Sequence, residues 1–114
     1  MAKAQLGALQ ALVDRILADQ CAAGAIECKH FFSGAAVYSD GHIFMTLTPA
    51  GLALKLSEHD RAQLAALGAV PLRYFANAPV KKDYVVLPDS VVSDDAALGR
   101  LARASIVFAT KRAD

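Results

Sequence analysis

Between Phe31 and Leu56 apolar and polar residues alternate in three successive runs, broken at Asp40-Gly41 and again near Pro49-Ala50-Gly51. A period of two marks a strand with one buried face, so the stretch predicts an antiparallel three-stranded meander. Asp-Gly suits the two central positions of a type I′ turn, because both residues tolerate positive φ. A two-residue loop there pairs Ser39 with His42, Tyr38 with Ile43 and Ala36 with Met45. Directly opposed residues share a face. Tyr38, Ala36, Ile43, Met45 and Leu47 therefore form one face, and Val37, Phe44, Thr46 and Thr48 the other. A second loop with an even number of residues brings Leu54 to the face of Leu47 and leaves Lys55 beside Thr46. The expected meander core is Tyr38, Ile43, Met45, Leu47, Leu54 and Leu56.

The flanking segments follow a helical period instead. Over residues 3–19, Leu6, Leu9, Val13, Ile16 and Leu17 recur at spacings of three and four and form one apolar stripe. After the meander Ser57 is placed as an N-cap, with Asp60 to answer it, and Gly68 suits the C-terminal cap. Leu64, Ala65 and Leu67 are the inner side of this short helix. Glu58 and Asp60 favour its positive end, which explains both acids without a catalytic role. Pro71 to Phe75 predicts a fourth strand, Ala76 to Pro79 a turn, and Val80 to Leu87 a fifth strand that Pro88 ends. A last helix is capped by Ser93. It carries Ala97, Leu98, Leu101, Ala102, Ser105, Phe108 and Ala109 inward, with Lys111 and Arg112 at its negative end. The order α-β-β-β-α-β-β-α predicts an α+β fold, with helices on one face of a five-stranded, mostly antiparallel sheet.

Composition narrows the function classes. The chain has 114 residues, is 55% hydrophobic and carries a net charge of +1. It is long enough for one domain, and its field is too weak to gather nucleic acid or an anionic membrane. No apolar run reaches the ~18 residues of a membrane span. Gln5, Gln10, Asp14 and Arg15 interrupt the N-terminal stretch, which argues against a signal peptide and for the cytoplasm. Leu17 to Cys21 resembles a lipoprotein cleavage site only superficially, since Asp19 and Gln20 replace the small residues required. Cys21, Cys28 and His30 make too few metal ligands at too wide a spacing. Two reduced thiols at the edge of a core, with no bound metal, are expected.

The residues Lys29-His30-Phe31-Phe32-Ser33-Gly34, then Asp40-Gly41-His42-Ile43-Phe44, then Leu52-Ala53-Leu54-Lys55-Leu56, recur in order like the signature of a known family. They resemble the N-terminal domain of the TfoX/Sxy competence regulators. That family shows a Lys-x-Met-Phe-Gly-Gly-like start, an Asn/Asp-Gly turn and a strand ending in Leu-x-Leu-Lys. Gly68 with Pro71-Leu72-Arg73-Tyr74 is similar to its Gly-x-x-Pro-Phe-x-Tyr, and Tyr84 to Pro88 to its Tyr-x-x-Val-Pro. Asp94 to Leu98 resembles the start of its closing helix. Two positions depart: Ser33 stands for a glycine, and the aromatic of the last helix is absent, with Leu101 nearby. The resemblance implies a secretion-chaperone-like α-β(3)-α-β(2)-α domain spanning residues 1–114, without the second domain of the founding members. Those members are positive regulators of DNA-uptake genes.

Three functions are weighed. The first is a non-enzymatic regulatory or protein-interaction domain, with no cofactor and an unidentified protein partner. It rests on the resemblance and on the lack of any phosphate loop, Gly-x-Ser-x-Gly or paired metal motif. Ser33-Gly34 beside Lys29 and His30 suggests a nucleophile, but such a pair in a strand more often marks a bulge or a close backbone approach. The second is a small-anion or nucleotide-binding domain, an enzyme in its strongest form, using Lys55, Arg73 and one of Lys81 or Lys82. Lys29, Lys55, Arg73 and Lys82 are the candidate anion or partner patch, against the plain reading that lysines protect strand edges. The third, direct DNA binding, lacks both charge and a base-reading helix and is not expected. A homodimer is expected, because Val37, Phe44, Val85 and Leu87 fall on a sheet face that three helices do not cover.

Overall fold

The computed structural model describes residues 2–31, 34–73 and 77–112. Two helices, α1 (Ala2–Ile16) and α2 (Ala18–Ala22), precede four consecutive strands, β1 (Ile26–Phe31), β2 (Gly34–Ser39), β3 (His42–Thr48) and β4 (Gly51–Lys55). Then come α3 (Glu58–Ala65), β5 (Val70–Pro71), β6 (Tyr84–Val86), α4 (Asp89–Val92) and α5 (Asp95–Arg112). The strands form one antiparallel sheet in the order β1-β2-β3-β4-β6-β5. The class is the α+β one expected, with one strand more: the segment leading into the meander is itself a strand.

Both hairpin turns obey the local chemistry. Asp40 and Gly41 both take positive φ, and Ser39 pairs with His42. The second loop is Pro49-Ala50, closed by Thr48 and Gly51, and the Thr48 hydroxyl accepts from the Ala50 amide at 3.1 Å. Its even length keeps Lys55 on the face of Thr46, as parity requires.

The register between the turns differs from the simple count. Tyr38 pairs with Ile43, but Val37 pairs with Met45 and Ala36 with Thr46. Phe44 is the extra residue of a β-bulge, so it and Met45 both reach the helix side. The expected core set is corrected accordingly. Met45, Leu54 and Leu56 are fully buried in it, and Leu47 packs against it from a half-buried position. Tyr38 and Ile43 lie on the opposite face. Val37, Phe44, Val85 and Leu87, expected on an open face, are core residues. The apolar surface excess inferred from them is therefore absent.

Helix α1 packs over β1 and β2, and α5 over β3 and β4. The α1 stripe is as expected, with Leu9, Val13, Ile16 and Leu17 buried. The helix breaks at Leu17, whose backbone leaves the helical region before α2 begins. In α3 the Ser57 hydroxyl accepts from the Asp60 amide at 3.2 Å, and Gly68 takes positive φ after its last turn. Leu64 is buried there, but Leu67 is 62% exposed and Ala65 is also exposed, which narrows the inner side to one residue. The last helix divides into α4 and α5, and Asp94 rather than Ser93 caps α5, accepting from the Ala97 amide at 3.2 Å. Strand β6 is shorter than the run Val80 to Leu87, because Lys81 and Asp83 are held in a turn. Phe32, Ser33, the Tyr74-Phe75 end of the expected fourth strand and the turn residue Ala76 lie outside the described residues, as does the side chain of Arg112.

Candidate functional site

The face of the sheet turned away from α1 and α5 collects the charged candidates. Alternation along each strand places Lys29, Ala36, Thr46, Ala53 and Val86 in one row across it. Lys55, opposite Tyr84, lies one row further along. The Lys29 ammonium sits 5.1 Å from the centre of the Tyr38 ring and 3.7 Å from a Glu27 carboxylate oxygen. The Lys55 ammonium lies 5.9 Å from the centre of the Tyr84 ring. Each lysine thus rests its stem on the sheet and its charge over an aromatic face. Between them the row is small, since Ala36, Thr46 and Ala53 are all completely buried. The Thr46 hydroxyl makes no hydrogen bond among the described residues.

The remaining cations stand elsewhere. Leu72 packs on Ala53 and Tyr84 and starts the loop that runs to β6. The Arg73 guanidinium donates to the Ala78 carbonyl at 2.6 Å, and the Lys81 amide to the Leu72 carbonyl at 2.9 Å, closing that loop on itself. The side chains of Arg73, Lys81 and Lys82 are exposed on it. Lys29 and Lys55 share the sheet face but stand on β1 and β4, three strand spacings or roughly 14 Å apart.

Lys55 also lines a cleft of about 380 Å³ with Tyr38, Gly41, His42, Ile43, Asp83 and Ala109. Lys29, Arg73, Lys81 and Lys82 do not line it. Asp83 takes a positive φ, its carbonyl accepts from the Leu56 amide at 2.8 Å, and its carboxylate stands 3.6 Å from Arg61. The Arg61 Nε also donates to the Leu56 carbonyl at 3.1 Å, so α3, β4 and the turn before β6 are tied at one corner. Sequence reasoning missed His42 and Asp83 as neighbours of Lys55. Their approach depends on the bulge and on the Asp83 backbone, neither of which leaves a periodic trace. A smaller groove of about 170 Å³ is bounded by Arg61, Ala69, Val70, Pro71, Val80 and Tyr84.

The thiols are free and half-buried. Cys21 donates to the Val13 carbonyl at 3.6 Å. Burial pushes the Cys28 thiol up to about 11, with Cys21 and Asp14 adding to the effect. The Cys21 thiol is raised too, first by burial and then by Asp14. Both are neutral and poor nucleophiles at physiological pH. Among the described residues no three His, Cys, Asp or Glu side chains group to hold a metal, and no helix is long and apolar enough to cross a membrane.

A family model described as the TfoX N-terminal domain matches residues 17–109. No curated protein matches the chain.

Proposed function

The chain belongs to the TfoX N-terminal domain family, and from that membership we propose that it is a non-enzymatic regulatory domain acting through protein contacts. Residues 1–114 work as one such domain, in the cytoplasm, without a cofactor, in the manner of the N-terminal part of regulators of DNA-uptake genes. The observation that carries this reading is the span of the match, which takes in every strand and all of α3 and α4. The sheet face bearing the Lys29–Tyr38 and Lys55–Tyr84 pairs is the partner surface, with Arg73 and Lys82 on the loop beside it. Lysines laid over aromatic rings suit an acidic or carbonyl-rich protein surface better than a nucleic-acid backbone, given the net charge of +1. The domain is also proposed to act as a homodimer, although Val37, Phe44, Val85 and Leu87, which first suggested it, lie in the core.

Deleting the gene in its native cell should lower the transcripts of the DNA-uptake genes, and Lys29→Glu/Lys55→Glu should not restore them where the unaltered chain does. Unchanged transcripts on deletion would remove this reading.

A second reading is favoured by one observation, the place of Lys55 in the larger cleft. There it would bind a small anion beside Tyr38 and His42, without help from Arg73, Lys81 or Lys82. Calorimetric titration with inorganic phosphate should then show saturable heat that Lys55→Ala abolishes. Heat that survives the substitution would rule the cleft out.

A further inference from the structure

Strand β1 is one edge of the sheet, and among the described residues no strand pairs with its outer side. The Asp40 amide donates to the Ala25 carbonyl at 2.9 Å, just beyond the first residue pair of β1 and β2. Hydrogen-bonded pairs alternate along an antiparallel ladder. Glu27, Lys29 and Phe31 therefore bond to Tyr38, Ala36 and Gly34, while the amides and carbonyls of Ile26, Cys28 and His30 point to the outer side. The side chains of Glu27 and Lys29 are 65% and 54% exposed and stand 3.7 Å apart.

We propose that two copies of this chain pair through β1, antiparallel, about a two-fold axis at Cys28. This rests on the homodimer reading above and names its interface. The axis at Cys28 sets the two Cys28 residues opposite each other, and Ile26 opposite the partner copy's His30. All the outward backbone groups of these residues then find partners. Glu27 falls directly opposite the partner copy's Lys29, and Lys29 opposite the partner copy's Glu27, on one face and in a close, non-hydrogen-bonded position. Each carboxylate already beside its own Lys29 then gains a second cation.

The same charges reject the neighbouring registers. An axis at Glu27 would oppose two glutamates, and one at Lys29 two lysines. An axis between residues would set outward groups against inward ones and lose the hydrogen bonds. Charged residues on an edge usually keep strands apart. Here, one positive and one negative charge placed symmetrically about a central residue permit a single self-pairing and penalise the slips on either side. Charge complementarity thus singles out a second copy as the occupant of this edge.

Sedimentation equilibrium on the full chain should show a dimer at high micromolar concentration. Glu27→Lys alone and Lys29→Glu alone should each raise the dissociation constant by about tenfold or more, since both cross-strand pairs become repulsive. Mixing these two variants should recover the dimer as a heterodimer, because every opposed pair is then again of opposite sign. The amides of Ile26, Cys28 and His30 should exchange with deuterium faster on dilution. Circular dichroism of each variant checks that these exposed substitutions leave the fold intact. A dimer indifferent to both substitutions, or edge amides whose exchange ignores concentration, would overturn the β1 pairing and leave the homodimer standing. A mass near 12.0 kDa throughout would overturn both.

Discussion

Gly34 shows how one residue sets a register. A Cβ built there would overlap the Leu47 carbonyl on the neighbouring strand, so only glycine fits. Gly34→Ala should cost ~1–3 kcal/mol or more, read by denaturant melts, because the clash is with backbone. Leu54, fully buried between Met45 and Val85, should lose ~2–5 kcal/mol on truncation to alanine. A loss below ~1 kcal/mol would place it at the surface. Cys28 makes a pH-dependent prediction. Its folded thiol is raised from 9.0 to about 11, so the folded state holds this proton after the unfolded chain has lost it. The contribution to stability is whole below the unfolded value and declines as pH rises through 9.0 towards about 11. Alkylation of Cys28 by iodoacetamide, in a Cys21→Ser background, should be slow at pH 7 and accelerate up to about 11.

At the level of elements, the bulge at Phe44 is held by the last helix. The Ser105 hydroxyl, buried on the inner side of α5, lies 2.9 Å from the Phe44 carbonyl and 2.6 Å from the Lys55 carbonyl. The hydroxyl spans β3 and β4 beside Phe44, the residue at which the pairing of β3 with β2 slips. Ser105→Ala should therefore cost ~1–3 kcal/mol, and should quicken amide exchange at the start of β3 more than in β1. Equal effects on both strands would mean that the hydroxyl does not hold the bulge. The helix layer is also joined at its surface, by Arg15 to Asp95 at 2.7 Å and Arg103 to Asp19 at 3.1 Å. Those pairs are exposed, and their weight is small beside the buried stripe of Leu9, Val13 and Leu17.

For the whole molecule, a net charge of +1 with cations spread over strands and loops sets the electrostatic behaviour. Lys29 and Lys55 share one sheet face, while Arg73 and Lys82 stand on the loop from β5 to β6. Heparin chromatography should release the chain at low salt, with little dependence of affinity on salt concentration. A steep salt dependence would point to phosphate contacts and to nucleic acid as the partner.

The α+β class followed from the order of the elements, and the hairpin turns, the apolar stripe of α1 and the caps at Ser57 and Gly68 were legible in the chain, because each of these depends on near neighbours. So was the side taken by Lys55, since parity passes through any loop of even length. The faces of Tyr38, Ile43, Val37 and Phe44 were not. A single extra residue in β3 reverses the alternation beyond it, and Phe44 looks like any other strand residue until Ser105, 61 residues later, reaches its carbonyl. The same holds for the cleft at Lys55, where Tyr38, His42, Asp83 and Ala109 meet only after the sheet has twisted and α5 has docked. Local sequence determined the elements and their ends. The tertiary structure decided the faces and the site, because both depend on long-range packing that no periodic pattern records.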